Sequence, residues 1–332
     1  MKQNQSNRLA ALARALGFAA LAAAALAQPA AHAADDFPNK PLRMVVPFPP
    51  GGSTDVIARL VAREMSKQLG QTVVVENKDG ASGAIATDFV AKATPDGYTM
   101  CYCTTGSIAI LPLIDAKLSY KPERDLSAVT HAVNQPFVVV VRSNLGVDNF
   151  KDLIAMSKSG RKLSFGSPGT ATPSHLTGEL LNLATGMDMR HVPYRGDTPA
   201  VQDMLGGHID AMMLSAISVK ALVESGKVKA LAVSSTMRLK TLPELPTIAE
   251  LGYAGFQTNN LPAIFVPAGT PPDVIAKLNA AAVAGLRTAE AVEKIGGQGL
   301  IIVADSPASA TRSMREESAR WAPVVNKLDL KR

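Results

Sequence analysis

Two turns in this sequence carry the residues best suited to gripping a negatively charged group. The first reads Pro47-Phe48-Pro49-Pro50-Gly51-Gly52-Ser53-Thr54-Asp55. Its prolines stiffen the approach, and Gly51 and Gly52 let the backbone come close to a bound group. Ser53 or Thr54 is the expected N-cap of the helix that follows. The first N–H groups of a helix lack internal partners and carry the positive end of its dipole, so such a turn is a ready anion cradle. The plainer reading is a well-capped helix whose dipole Asp55 complements. The stretch matches neither GxGxxG nor GxxxxGK[ST], so nucleotide binding is not implied.

The second turn reads Gly166-Ser167-Pro168-Gly169-Thr170-Ala171-Thr172. Thr172 is an N-cap, Pro173 takes the favoured first helical position, and His175 lies in the first turn. A hydrolytic role for Ser167 would need the GxSxG elbow, but residue 165 is Phe. No third triad member accompanies His175. A further polar, glycine-centred segment, Thr104-Thr105-Gly106-Ser107, suits either a turn or a ligand-facing lip. Two cradles on separate domains would clamp a ligand with two anionic ends, such as a dicarboxylate or a larger polyacid. Neutral donors suit reversible capture, because no full opposite charge has to be buried.

These turns need strands and helices to hold them. Short apolar runs predict strands over 42–47, 72–76, 98–104, 136–141, 162–165, 209–214, 229–234 and 263–266. Apolar residues at steps of three and four predict helices over 54–69, 84–93, 149–159, 173–185, 200–206, 219–225, 272–288 and 306–328. The alternation implies an α/β fold with a largely parallel sheet and helices on both faces. Segments 134–142 and 252–267 read as crossings between two α/β domains. The first domain would then be discontinuous, 35–137 plus 258–332, with 138–257 as the second. Two crossings permit a hinge, and the cleft between such domains favours a small ligand.

Composition narrows the class. Of 332 residues 47% are hydrophobic and 19% charged, which excludes disorder and fibrous folds. Lys2, Arg8 and Arg14 precede an apolar run over 15–27, and Ala31-His32-Ala33 has the small-x-small form of a cleavage site. Residues 1–33 therefore read as a secretory signal cut near Ala33, and the protein as exported. The remaining cations are scattered, so no nucleic-acid partner is expected. Cys101 and Cys103 share one face of a strand, where a disulfide would strain it, and two buried thiols are expected. His131, His191 and His208 show no metal-ligand spacing, and neither a metal nor a cofactor is expected.

The motifs, in order, are VPFPPGGSTD at 46–55 followed by Ile57-Ala58-Arg59, GASG at 80–83, TPDGY at 94–98, GSPGTATPSHL at 166–176 and VPYRGDTPA at 192–200. DMLGGHID at 203–210, KALAVSS at 229–235, LPELPTIAELG at 242–252 and VPAGTP at 266–271 complete the series. In these motifs the chain resembles the periplasmic substrate-binding proteins of tripartite tricarboxylate transporters, the Bug family, over essentially all of its length after residue 33. The resemblance implies a bilobal, type II Venus-flytrap fold and a small carboxylate ligand: a di- or tricarboxylate, an amino acid or an aromatic acid. It implies that ligand-binding residues come from Phe48, Pro49, Gly51, Gly52, Ser53, Thr54 and Asp55 in the first turn. Thr105, Gly106 and Ser107 would join them from the lip, and Ser167, Gly169, Thr170, Thr172 and His175 from the second turn.

In relatives with amino-acid ligands the residue matching Asp55 can meet the ammonium group. Tyr194 and Arg195 would pack beside the cleft. The family's third segment commonly reads GTHAINP, whereas residues 106–112 here are GSIAILP. Ile108 and Leu111 thus predict a more apolar far end of the pocket and a ligand with an apolar portion. The expected partners are separate membrane transporter subunits, and the expected state is a monomer. The alternatives are a ligand-sensing module that docks to a receptor, or an exported enzyme using Asp55 and His175.

Overall fold

The computed structural model describes residues 37–330, so the predicted leader and its cleavage site lie outside the described residues. From Lys40 onward the chain forms one unit. Its first half contains β1 (Leu42–Val46), α1 (Ser53–Leu69), β2 (Val73–Asn77), α2 (Ala84–Ala91), β3 (Thr99–Cys103), β4 (Leu126–His131) and β5 (Val133–Arg142). There follow α3 (Phe150–Lys158), β6 (Leu163–Ser167), α4 (Pro173–Thr185), β7 (Met189–Pro193), α5 (Asp197–Leu205), β8 (Ala211–Ser215), α6 (Ala216–Glu224) and β9 (Val228–Val233). The chain ends with β10 (Asn259–Asn260), β11 (Ala263–Pro267), α7 (Pro272–Leu286), α8 (Ala289–Gly296), β12 (Ile301–Ile302) and α9 (Pro307–Lys327).

The strands form two sheets. The first has the order β2-β1-β3-β11-β4, and the second β10-β5-β8-β6-β7, with β9 and β12 also paired to β5. The sheets are mixed rather than largely parallel. β1 runs parallel to β2 and β3, as β6 does to β7 and β8, because a helix carries the chain back between them. β11 runs antiparallel to β3 and β4, and β5 to β8, β9, β10 and β12. These two strands are entered straight from the other sheet, with no crossover helix to restore their direction. The chain passes from the first sheet to the second at Ala132, between β4 and β5, and returns between β10 and β11.

β5 shows why the second sheet is buried on both faces. Phe137, Val139 and Val141 join one apolar cluster with Phe165 and Met213. The alternating Val138 and Val140 join another, with Met212 and Leu214. A period of two along a continuous apolar run gives this double burial. The first sheet's core includes Val45, Cys103, Ala263 and Phe265.

The cysteine expectation is corrected: Cys101 and Cys103 form a disulfide. Their Cα atoms are 5.2 Å apart, against about 6.8 Å for two ideal strand steps, so β3 is drawn in where the sulfurs meet. Both residues are fully buried.

Candidate ligand-binding cleft

In each sheet one strand is flanked by the two strands that follow it through helical crossovers. β1 lies between β2 and β3, and β6 between β7 and β8. Such a reversal opens a crevice beyond the carboxyl ends of the parallel strands. One cavity of about 40 Å³ is lined from both reversals. Phe48, Pro49, Gly52, Ser53 and Thr54 come from the turn after β1, and Thr104 follows β3. Pro168, Thr172, Pro173 and Ser174 follow β6, Gly196, Asp197 and Thr198 follow β7, and Met213 and Ser215 end β8. Gln135, Phe137 and Asn260 come from β5 and β10. The first residues or N-caps of α1, α4, α5 and α6 therefore meet at one cavity. No Lys or Arg lines it, so helix dipoles and neutral donors are what it offers an anion.

In the first turn the N-cap of α1 is Gly52, one residue before the predicted cap, and it has no side chain with which to cap the helix. The carboxylate of Asp197 supplies that bond instead. Its Oδ2 accepts hydrogen bonds from Ser53 Oγ at 2.7 Å and from the Ser53 N–H at 3.4 Å. Burial pushes the Asp197 carboxyl above its ordinary value, while the hydrogen bonds from Ser53 act the other way. Gly196, immediately before it, has φ +116°, and a Cβ there would lie 3.0 Å from Pro49 Cδ. The backbone after β7 thus passes closely over the first turn.

Asp55, a predicted site residue, is spent on the turn itself. It accepts from the Gly51 N–H at 3.0 Å, Arg59 Nε at 3.0 Å and Asn77 Nδ2 at 2.8 Å. Burial acts to raise its carboxyl, but these donors and the Arg59 charge hold it below its ordinary value. Neither Gly51 nor Asp55 lines the cavity.

The second turn is also closed by its own bonds. Thr172 Oγ1 donates to Gly169 O at 2.7 Å and accepts from the His175 N–H at 3.3 Å. His175 Nδ1 accepts from the Ala171 N–H at 3.1 Å, and its ring stacks on His191 at 3.8 Å. Ser167 Oγ lies 2.7 Å from His191 Nε2, whose pKa is pushed down to about 3 by burial and by the neighbouring His175. Ser167 and His175 stay behind the cavity wall, whereas Thr172 lines it. Gly169 and Thr170 line an adjacent hollow of about 310 Å³, which shares Phe48, Pro49 and Pro168 with the cavity and includes Tyr194 and Arg195.

The lip lies deeper than its sequence suggests. The Thr105 N–H donates to Asn260 Oδ1 at 3.3 Å, Thr105 Oγ1 accepts from the Leu261 N–H at 3.0 Å, and Tyr120 OH donates to Ser107 O at 2.6 Å. A Cβ on Gly106 would lie 3.2 Å from Ala171 O, so this backbone abuts the second turn. Only the preceding Thr104 lines the cavity. The expected apolar far end is corrected. Ile108 packs with Cys103 in the first sheet's core, and Leu111 packs against the cluster of Ile110, Leu176 and Trp321. Neither reaches the cavity.

Of the predicted residues, the structure thus brings Phe48, Pro49, Gly52, Ser53, Thr54 and Thr172 together at the cavity. Thr104, the first residue of the predicted lip, joins them, and the structure adds Gln135, Asp197, Ser215 and Asn260, which were not predicted as site residues. Thr104 Oγ1, Gln135 Nε2 and Ser215 Oγ are buried without a protein partner. Gln135 Oε1 accepts from Asn260 Nδ2 at 3.2 Å, which leaves its NH₂ as the donor, with the buried Tyr102 hydroxyl as a neighbour. Among the described residues no group of His, Cys, Asp or Glu is placed to share a metal ion, and no helix is long and apolar enough to cross a membrane.

The family model described as "Tripartite tricarboxylate transporter family receptor" matches residues 57–330. The chain belongs to this family. Protein BugT of Bordetella pertussis is 37% identical over 313 residues, covering 94% of this chain and 95% of BugT. The solved periplasmic binding protein BugD superposes with a TM-score of 0.85 at 34% identity, covering 89% of this chain and 99% of BugD. An R. palustris protein solved with adipate gives a TM-score of 0.85 at 33% identity, covering 88% of this chain and 98% of that one. This receptor accordingly has the bilobal fold of periplasmic binding proteins.

Proposed function

We propose that this receptor captures a small carboxylate in the periplasm, at the cavity between the turns after β1 and β6, and presents it to separate membrane subunits. The observation that carries this reading is the meeting of four helix N-termini at one cavity without a Lys or Arg among its lining residues. The helix dipoles and the unpartnered side-chain donors of Thr104, Gln135 and Ser215 would hold an anion there without burying a cation, and release it again. Adipate in the R. palustris relative is a ligand of this chemical class.

A cavity of about 40 Å³ admits a multi-carbon acid only if its walls part. Lobes formed by 35–137 plus 258–332 and by 138–257, hinged where the chain passes from one to the other at 137–138 and 257–258, would allow that movement. In the same reading the chain acts as a monomer, is exported with a leader cut near Ala33, and carries out no catalysis. Asp55 and His175, the groups an enzyme would need, already serve their own turns.

A thermal-shift screen of carboxylic acids tests the reading. A true ligand at a hundred times its Kd stabilises the fold by about 2.7 kcal/mol. A rise in melting temperature with one or a few acids supports it. No rise with any di-, tri-, amino or aromatic acid contradicts it.

A further inference from the structure

We propose that Asp197 sets the ligand class of this receptor, admitting a small acid that carries an ammonium group and rejecting dianions. The inference rests on the carboxylate-binding reading and deepens it. Asp197 is the only charged side chain among the residues lining the cavity. Its Oδ2 sits on Ser53 Oγ and the Ser53 N–H, at the N-terminus of α1, where a ligand carboxylate would otherwise be held. That cradle is therefore filled by the chain's own carboxylate, brought from the other sheet.

The rest of the wall has the opposite character. Thr104, Gln135 and Ser215 are each at least 96% buried, and each keeps a polar atom without a protein partner. Asn260 fixes the Gln135 amide so that its NH₂ can only donate. Ser215 is the N-cap of α6 yet makes no capping bond, so its hydroxyl also remains free to donate. Two hydroxyls and an amide NH₂, beside the N-termini of α4 and α6, receive one carboxylate without burying a cation.

A second carboxylate on the ligand would meet Asp197 across a low-dielectric cavity, where like charges repel strongly. An ammonium group there would pair with Asp197 and offset its burial. The ligand that satisfies both ends is a zwitterion: a carboxylate toward Thr104, Gln135 and Ser215, and an ammonium toward Asp197.

The test is titration calorimetry of the purified protein with acids matched in length. The dicarboxylates succinate, glutarate and adipate are set against the corresponding ω-amino acids, and α-amino acids complete the panel. The wild type is expected to bind at least one amino acid at least about tenfold more tightly than the dicarboxylate of the same length. Asp197→Asn and Asp197→Ser are expected to shrink that preference by about tenfold or more, chiefly through weaker amino-acid binding. Circular dichroism confirms that each variant is folded, and the wild-type ranking stands without them.

A wild type that binds dicarboxylates as tightly as amino acids overturns the inference while leaving carboxylate capture intact. So do variants that tighten every acid alike, which would make Asp197 a latch. No binding by any acid contradicts carboxylate capture itself, and this inference falls with it.

Discussion

Asp197 Oδ2 lies 2.7 Å from Ser53 Oγ, so a residue of the segment after β7 caps the helix that follows β1. One hydrogen bond thereby ties together the two strand reversals that build the cavity. The carboxyls of Asp197 and Asp55 are shifted in opposite directions, and that contrast can be measured.

Burial raises Asp197 above 3.8, so the folded state binds its proton more tightly than the unfolded state. Between the ordinary and the raised value the folded chain holds more protons, and stability falls as pH rises. The stability of the wild type relative to Asp197→Asn is expected to decline across that window and then level off. Denaturant unfolding at a series of pH values would show it. A difference that grows with pH would mean that Asp197 is stabilised as an anion.

Asp55 behaves the other way. Its folded value lies below 3.8, so its contribution is complete above that pH and is lost as pH falls through the folded value. Asp55→Ala leaves the Gly51 N–H without its acceptor and Asn77 Nδ2 with Phe48 O alone. It is expected to cost about 1–3 kcal/mol at neutral pH, with the deficit shrinking in acid. Equal unfolding midpoints for wild type and variant at pH 7 would contradict the role given to Asp55.

Gly196 is predicted to be needed for closure over the first turn. Gly196→Ala places a Cβ at a positive φ and 3.0 Å from Pro49 Cδ. The expected result is binding weakened by about tenfold for whichever acid the screen identifies, as Pro49 is pushed away from the cavity. Calorimetry checks this, and unchanged affinity would show that the close approach is not needed for capture.

The disulfide offers a simpler test. Mass spectrometry of the denatured, unreduced protein should show a mass about 2 Da below that of the dithiol. Both sulfurs are buried, so dithiothreitol is expected to reduce the bond slowly until the fold opens. Cys101→Ser with Cys103→Ser is expected to cost about 1–2 kcal/mol, because the loop it closes is very short. Rapid alkylation of the native protein without reductant would contradict the pairing.

Local signals were legible where they were strong. The helix Pro173–Thr185 follows from Thr172, Pro173 and Gly186, which cap, start and end it. The burial of β5 on both faces follows from its continuous apolar run. β7 (MRHVP) went unseen because Arg190 and His191 interrupt its apolar pattern, and β4 (LSAVTH) because small polar residues do. The directions of β5 and β11 depend on passage between sheets, which no local pattern records.

The same limit applies at the cleft. The two turns could be recognised from Gly, Ser, Thr and the residues that start helices. Asp197 reads locally as an acid complementing its own helix, since its partner Ser53 lies 144 residues away. Gln135 and Ser215 look like strand ends until two sheets place them at one cavity.

The most direct measurement is a crystal structure of the receptor with the tightest-binding acid from the screen. The account predicts the acid in this cavity, its carboxylate within hydrogen-bonding distance of donors among Thr104, Gln135 and Ser215. An acid lodged outside the cavity, or bound with its carboxylate turned away from all three, would contradict it.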